Sequence, residues 1–340
     1  MTTRPTSDYD CCLPVSRREF LCKSSFAGAV VAAAGSVPLF KSETLTAAEK
    51  AKLAQPETLV AQLYKSLTEP QRKELCFGFD HPLRSAVNNN WHITKQKIGA
   101  FLNKDQNQLV KDIFMGLHSP EYADKVYGQV VHDSGKAGFE DSSIALFGEP
   151  GAGKFEFVLT GRHCTRRCDG DSVAGAAFGG PIFYGHAAES FNEKADHKGN
   201  VYWYQAVRAN EVFKMLSAKQ RDVALHGEPR PEKGNDTVKL TGKTTGLDGI
   251  PVRDLSKDQQ AHVRKVMADL LAPFRKADAD EVMKLVEKNG FGNLHMAFYK
   301  MDDIGGDGVW DIWQIEGPAM IWYFRGAPHV HTWVHVRESA

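Results

Sequence analysis

Near the end of the chain, GAPHVHTWVHV sets His329 and His331 two residues apart, with His335 four residues further on. If residues 329–336 form a strand, His329, His331, Trp333 and His335 face one side and Val330, Thr332, Val334 and Val336 the other. Imidazoles two apart on a strand start about 6.6 Å from one another at the backbone, so both rings can converge on one ion at metal–nitrogen distances of about 2.0–2.1 Å. His335 lies about 13 Å from His331 on a straight strand and is too far to join them. A third ligand must come from another segment. His163 in LTGRHCTR is the first choice, because it continues the face of Phe155, Phe157 and Leu159. His295 in NLHMAFYK is the second, alternating against Leu294, Met296 and Phe298; Glu156, Asp169, Asp171 and His186 remain as further candidates. An all-imidazole set suits one zinc, copper or iron ion. With an open position for water or dioxygen the site would be that of a hydrolase or oxidoreductase, and with Asp, Glu or Cys closing it, that of a non-catalytic metal- or ligand-binding protein.

Other chemistries find less support. FGEPGAGKFEF places Gly148, Gly153 and Lys154 as a phosphate loop would, but such a loop needs a helix and a Ser or Thr hydroxyl directly after the lysine. Here Phe155 follows and the residues alternate as a strand, so the glycines read as a hairpin turn. DDIGGDG at 302–308 resembles a calcium loop, yet Gly305 stands in a ligand position and Gln314 where the closing glutamate belongs. Trp310, Trp313, Trp322, Tyr323 and Phe324 read as alternating core aromatics. No G-x-S-x-G elbow occurs, and on a strand His163 and Cys164 would face oppositely, which argues against a Cys–His dyad.

The N-terminus carries an address. SRREFLCK, with Arg17 and Arg18, precedes the weakly apolar SSFAGAVVAAAGSVPLF, the pattern of a twin-arginine export signal over residues 1–40. Its apolar run of about 15 residues falls short of the roughly 20 that a stable membrane span needs. The expected partner is therefore the twin-arginine translocase, and the expected location periplasmic or secreted after export in the folded state. The 42 basic and 42 acidic residues balance, so no global field favours nucleic acid or an anionic membrane. Of six cysteines only Cys76, Cys164 and Cys168 lie beyond the signal; Cys164 and Cys168 would be about 13 Å apart on a strand, so a disulfide between them would need the chain to turn.

Behind these residues stand two kinds of element. PETLVAQLYKSL and KQKIGAFLNKDQNQLVKDIFMGL repeat apolar residues every three or four positions, as helices do, and HSPE reads as a stop followed by a new start. From Ser142 the period becomes two. Residues 169–200, glycine-rich and without a period, read as an ordered loop packed beside a site. Helices return in ANEVFKMLSAKQRDVAL, and SKDQQAHVRKVMADLLAPF opens on Ser256 as N-cap. DADEVMKLVEKNG ends at Gly290 in C-cap fashion, and strands follow to the terminus. Helices followed by antiparallel strands thus occur twice, over 57–168 and 256–337, within one α+β domain expected over 41–340.

FEFVLTGRHCTRRCDGD, AAFGGPIFYGH, NLHMAFYK and GAPHVHTWVHVR together resemble an exported bacterial family known only as domain of unknown function 3500. In that family the first of these motifs carries a histidine pair; here Arg162 takes its first position, so only His163 carries over. H-x-H-[ST] falls on His329, His331 and Thr332. The resemblance implies the site and supplies no reaction.

Overall fold

The computed structural model describes residues 55–187, 197, 199–301, 306 and 308–340. The export signal expected over 1–40 lies outside the described residues, as do most of residues 302–308. Residues Ala54–Ala340 cluster as one unit, and its architecture is α+β.

Helix α1 (Pro56–Ser66) has proline in its first turn and buries Leu59, Val60 and Leu63. Helix α2 (Glu69–Leu75) starts on a capping box between Thr68 and Gln71 and runs into β1 (Cys76–Phe77). After α3 (Ile98–Phe101), α4 (Lys104–Gly116) opens on a second box between Asn103 and Gln106; such boxes satisfy amides that a helix start leaves without partners. Helix α5 (Ala123–Asp133) begins three residues later than Pro120, where a helix start is expected, because Ser119 donates its backbone N–H to Pro273 and ties the junction down. Strands β2 (Ser143–Gly148), β3 (Phe155–Gly161), β4 (Cys164–Cys168) and β5 (Ile182–His186) complete the first run. In the second, α6 (Trp203–Met215), α7 (Ala218–Ala224) and β6 (Leu225–His226) precede β7 (Ile250–Pro251). Helices α8 (Lys257–Leu271) and α9 (Lys276–Lys288) then lead to β8 (His295–Tyr299), β9 (Ile312–Gly317), β10 (Met320–Arg325) and β11 (Val330–Val336).

All eleven strands of the described residues join one sheet in the order β1-β2-β3-β4-β5-β11-β10-β9-β8-β6, with β7 on β8. That order reads alike from either end. The outermost strands β1 and β6 run parallel to β2 and β8, and β5 meets β11 antiparallel at the centre. The likeness reaches side chains. Gln71 and Gln106, both capping residues, bond to each other at 3.0 Å while Gln106 donates to the Ser66 carbonyl. Gln220 and Gln259 do the same at 3.1 Å, with Gln259 donating to the Met215 carbonyl.

One face of the sheet, through Leu146, Phe157, Leu159, Trp322, Phe324, Val330 and Val334, packs in a single apolar core with the helices. The other face carries Phe147 and Val158, and further along Phe183, Tyr323 and Trp333. The segments between β1 and α3 and between β6 and β7 cover it with Val87, Ile93 and Val238. Strand β5 falls inside the stretch expected to be a loop. With Phe183 buried on one face and Tyr184 on the other, it presents a short continuous apolar run without alternation, the pattern of a strand covered on both sides. The glycines of FGEPGAGKFEF turn β2 into β3, with Gly148 and Gly151 at φ 74° and 84°. Lys154 leads into β3, so no helix N-terminus is present there to hold a phosphate. Cys164 and Cys168 are buried on β4 as free thiols.

Candidate metal centre

Three chain segments meet where β5 ends and β11 begins. His163 sits in the two-residue turn between β3 and β4 at φ 54°, its backbone N–H donating to the Asn89 carbonyl at 2.9 Å. The turn therefore aims its ring, where sequence alternation had suggested the strand face would. His329 follows a cis Ala327–Pro328 bond and immediately precedes β11. His331 lies within β11 opposite Gly185 of β5. A Cβ on Gly185 would overlap the Val330 carbonyl oxygen. Only glycine lets β5 approach this closely.

All three rings are buried, and their nitrogens group within 4.8 Å of one another. His329 Nε2 lies 3.0 Å from His163 Nε2 and 2.9 Å from His331 Nε2. The opposite ring nitrogens of His163 and His331 face carboxylates. His163 Nδ1 donates to Asp133 Oδ2 at 2.6 Å, from the last residue of α5. His331 Nδ1 is 2.7 Å from Glu232 Oε2, in the segment after β6. Arg325, at the end of β10, pairs its Nε with Glu232 Oε1 at 2.9 Å and also touches His331 Nδ1. A ring nitrogen offers one in-plane direction. We assign its proton to the bond with Glu232, because Arg325 already has the other oxygen of that carboxylate. Asp133 Oδ1 takes His186 Nδ1 at 3.1 Å, from the end of β5, and Gln129 Nε2 donates to Asp133 Oδ2 at 3.1 Å.

The charges favour the ligand state of the rings. Burial, then the neighbouring His331, His163 and Arg325 charges, hold His329 far below the ordinary histidine range. Burial and the Arg325 guanidinium do the same to His331. Burial pushes Asp133 up, but hydrogen bonds from His163 and His186 outweigh it and keep the carboxyl well below its usual value. Burial raises Glu232, with Arg325 opposing. With protons fixed on Nδ1 of His163 and His331, their Nε2 lone pairs point at the Nε2 of His329 from about 3 Å. A neutral His329 with its proton on Nε2 donates into them, and a cation in place of that proton would accept all three lone pairs. The group could hold one metal ion.

Of the residues singled out in the sequence, His163, His329 and His331 come together. His295 does not: it begins β8, with Nδ1 bonded to the Asn293 carbonyl at 3.1 Å. His335 bonds the Val238 carbonyl at 3.0 Å, away from the triad. Glu156 is buried in ion pairs with Arg84 and Arg167, and Asp169 accepts from the Val173 amide. His186 stands behind Asp133 in support of His163. Asp133, Glu232 and Arg325 went unread in the sequence, because a carboxylate at a helix end or in a polar loop carries no periodic signal. A search of the curated proteins and of the solved structures returns no match. Over residues 49–338 the chain matches the family described as Protein of unknown function (DUF3500), and it belongs to that family.

Proposed function

We propose that the chain is an exported metalloprotein in which His163, His329 and His331 hold one zinc, copper or iron ion through their Nε2 atoms, and that it works as a mononuclear metalloenzyme. One observation carries the reading: the three Nε2 atoms converge while carboxylates hold the far nitrogens of His163 and His331. That is the outer-shell arrangement by which proteins orient and strengthen histidine ligands. A bound ion would supply Lewis acidity toward water or a carbonyl if it is zinc, and redox chemistry if it is iron or copper. Asp133 and Glu232 fix the tautomers, and His186 and Arg325 fix those carboxylates in turn. Three imidazoles leave positions on the ion for water and substrate. Export through the twin-arginine route, directed by Arg17 and Arg18, suits a protein loaded with its metal before crossing the membrane.

The complete burial of the three rings favours a second reading, a periplasmic protein that holds a metal or small ligand without turnover. Metal analysis by mass spectrometry on protein purified from its native compartment, beside His331→Ala, tests both. We expect a stoichiometric transition metal in the wild type and its loss in the variant. Absence of stoichiometric metal, with neither content nor stability changed by the substitution, would overturn both. Exchange of ligand water on the loaded ion, read by relaxation with a paramagnetic substitute, separates an open centre from a closed one.

A further inference from the structure

A cavity of about 500 Å³ opens between α5 and the segment leading into α6. Lys125, Gln129 and His132 line it from one face of α5, spaced four and three residues apart as neighbours on a helix are. Gly128 shares that face, and nothing lies within 4 Å of where its side chain would be. Asn200 and Tyr204 form the opposite wall and His186 belongs to the lining. Through His186 the cavity touches the metal centre, since Asp133 binds His186 with one oxygen and His163 with the other.

We propose that this cavity binds a small organic anion bearing hydroxyl groups, a hydroxy acid or a phosphorylated polyol, and that its occupant acts on the adjacent centre through His186 and Asp133. Its effect on the centre rests on the metal reading above; its binding does not. The ammonium of Lys125 stacks on the Tyr122 ring, 4.7 Å from the centroid, which holds the charge at the mouth. No carboxylate among the described residues lines the cavity to oppose it. Asp133, lying behind, is engaged by donors from His163, His186 and Gln129. Deeper groups want hydrogen-bond donors. Asn200 Oδ1 is buried with no hydrogen-bond partner among the described residues, and a His186 that gives its Nδ1 proton to Asp133 turns an Nε2 lone pair away from it. A ligand with an anionic end at Lys125 and hydroxyls at the inner end satisfies both.

Isothermal titration of the full chain with gluconate, glucose 6-phosphate and glucose, each with and without loaded zinc, tests this. We expect at least one anion to bind, glucose to bind at least about tenfold more weakly, and Lys125→Glu to lose at least about tenfold, the size of one charged hydrogen bond. Gluconate binding alone would identify the anionic end as a carboxylate, and glucose 6-phosphate alone as a phosphate. If neither anion binds, or if Lys125→Glu and His132→Ala both bind as the wild type does, the proposal is overturned. Metal content measured on the same samples keeps the readings apart, since anion binding without metal sinks only the centre, and metal without anion binding sinks only the cavity.

Discussion

Replacing Asp133 with asparagine isolates what the outer carboxylate contributes to the centre. Asp133 accepts four hydrogen bonds, from His163 at 2.6 Å, from His186 and Gln129 at 3.1 Å each and from the Ala187 backbone N–H at 3.4 Å. Asparagine keeps the shape but has one accepting oxygen. With that oxygen on His163, its NH₂ group must face the Nδ1–H of His186. The loss is about one hydrogen bond to a charged acceptor, about 1.5–3 kcal/mol. Outer-shell substitutions at histidine metal sites cost about ten- to a hundredfold in affinity, which converts to about 1.4–2.8 kcal/mol. Two independent routes thus arrive at the same magnitude. Competition of stripped protein against a chromophoric zinc chelator at neutral pH should show that weakening, with far-UV circular dichroism unchanged. A folded Asp133→Asn protein that binds zinc within about twofold of wild type would refute the argument that these carboxylates orient ligands.

Further outcomes follow from other parts of the fold. Gly185→Ala should destabilise by about 1–3 kcal/mol in urea unfolding, because its methyl would clash with the Val330 carbonyl and push β5 away from β11. Burial holds the His335 imidazole down at about 4 against 6.5 in an unfolded chain, with the Val238 hydrogen bond opposing. Its stability contribution is therefore complete above pH 6.5 and is lost as pH falls toward 4, by up to about 3 kcal/mol. Unfolding at pH 7.5 and 4.5 should show a smaller acid loss for His335→Gln than for wild type. We propose further that the unit is one domain built of two related halves. Gln106→Ala and Gln259→Ala should then each cost about 1–3 kcal/mol, equal within about 0.5 kcal/mol; a lopsided result would argue that the likeness of the halves is superficial.

What the sequence disclosed and what it hid have physical reasons. The H-x-H pair was legible because a strand's period of two converts spacing directly into shared direction. His163 was legible as a candidate through its place after an apolar strand, though its true aim comes from a left-handed turn residue. Ser256 was legible as an N-cap, and the structure shows the same local capping chemistry at Thr68, Asn103 and Ser217, which four residues suffice to encode. Strand β5 was hidden because burial on both faces erases alternation. Glu232 and Arg325 were hidden because their roles exist only once the segment after β6 has been laid against β10 and β11. His295 fits the same alternation rule as His331 and still lies on a strand remote from it in the sheet order, so the rule fixes direction and not distance.

The seam between β5 and β11 divides the centre by origin. His163, Asp133 and His186 come from the chain before the seam, and His329, His331, Glu232 and Arg325 from the chain after it. An ion gripped there would act as a rivet through a joint, fastening the first 130 or so described residues to the rest. Neither portion owns a complete set of ligands, so loading would have to wait until the two had met.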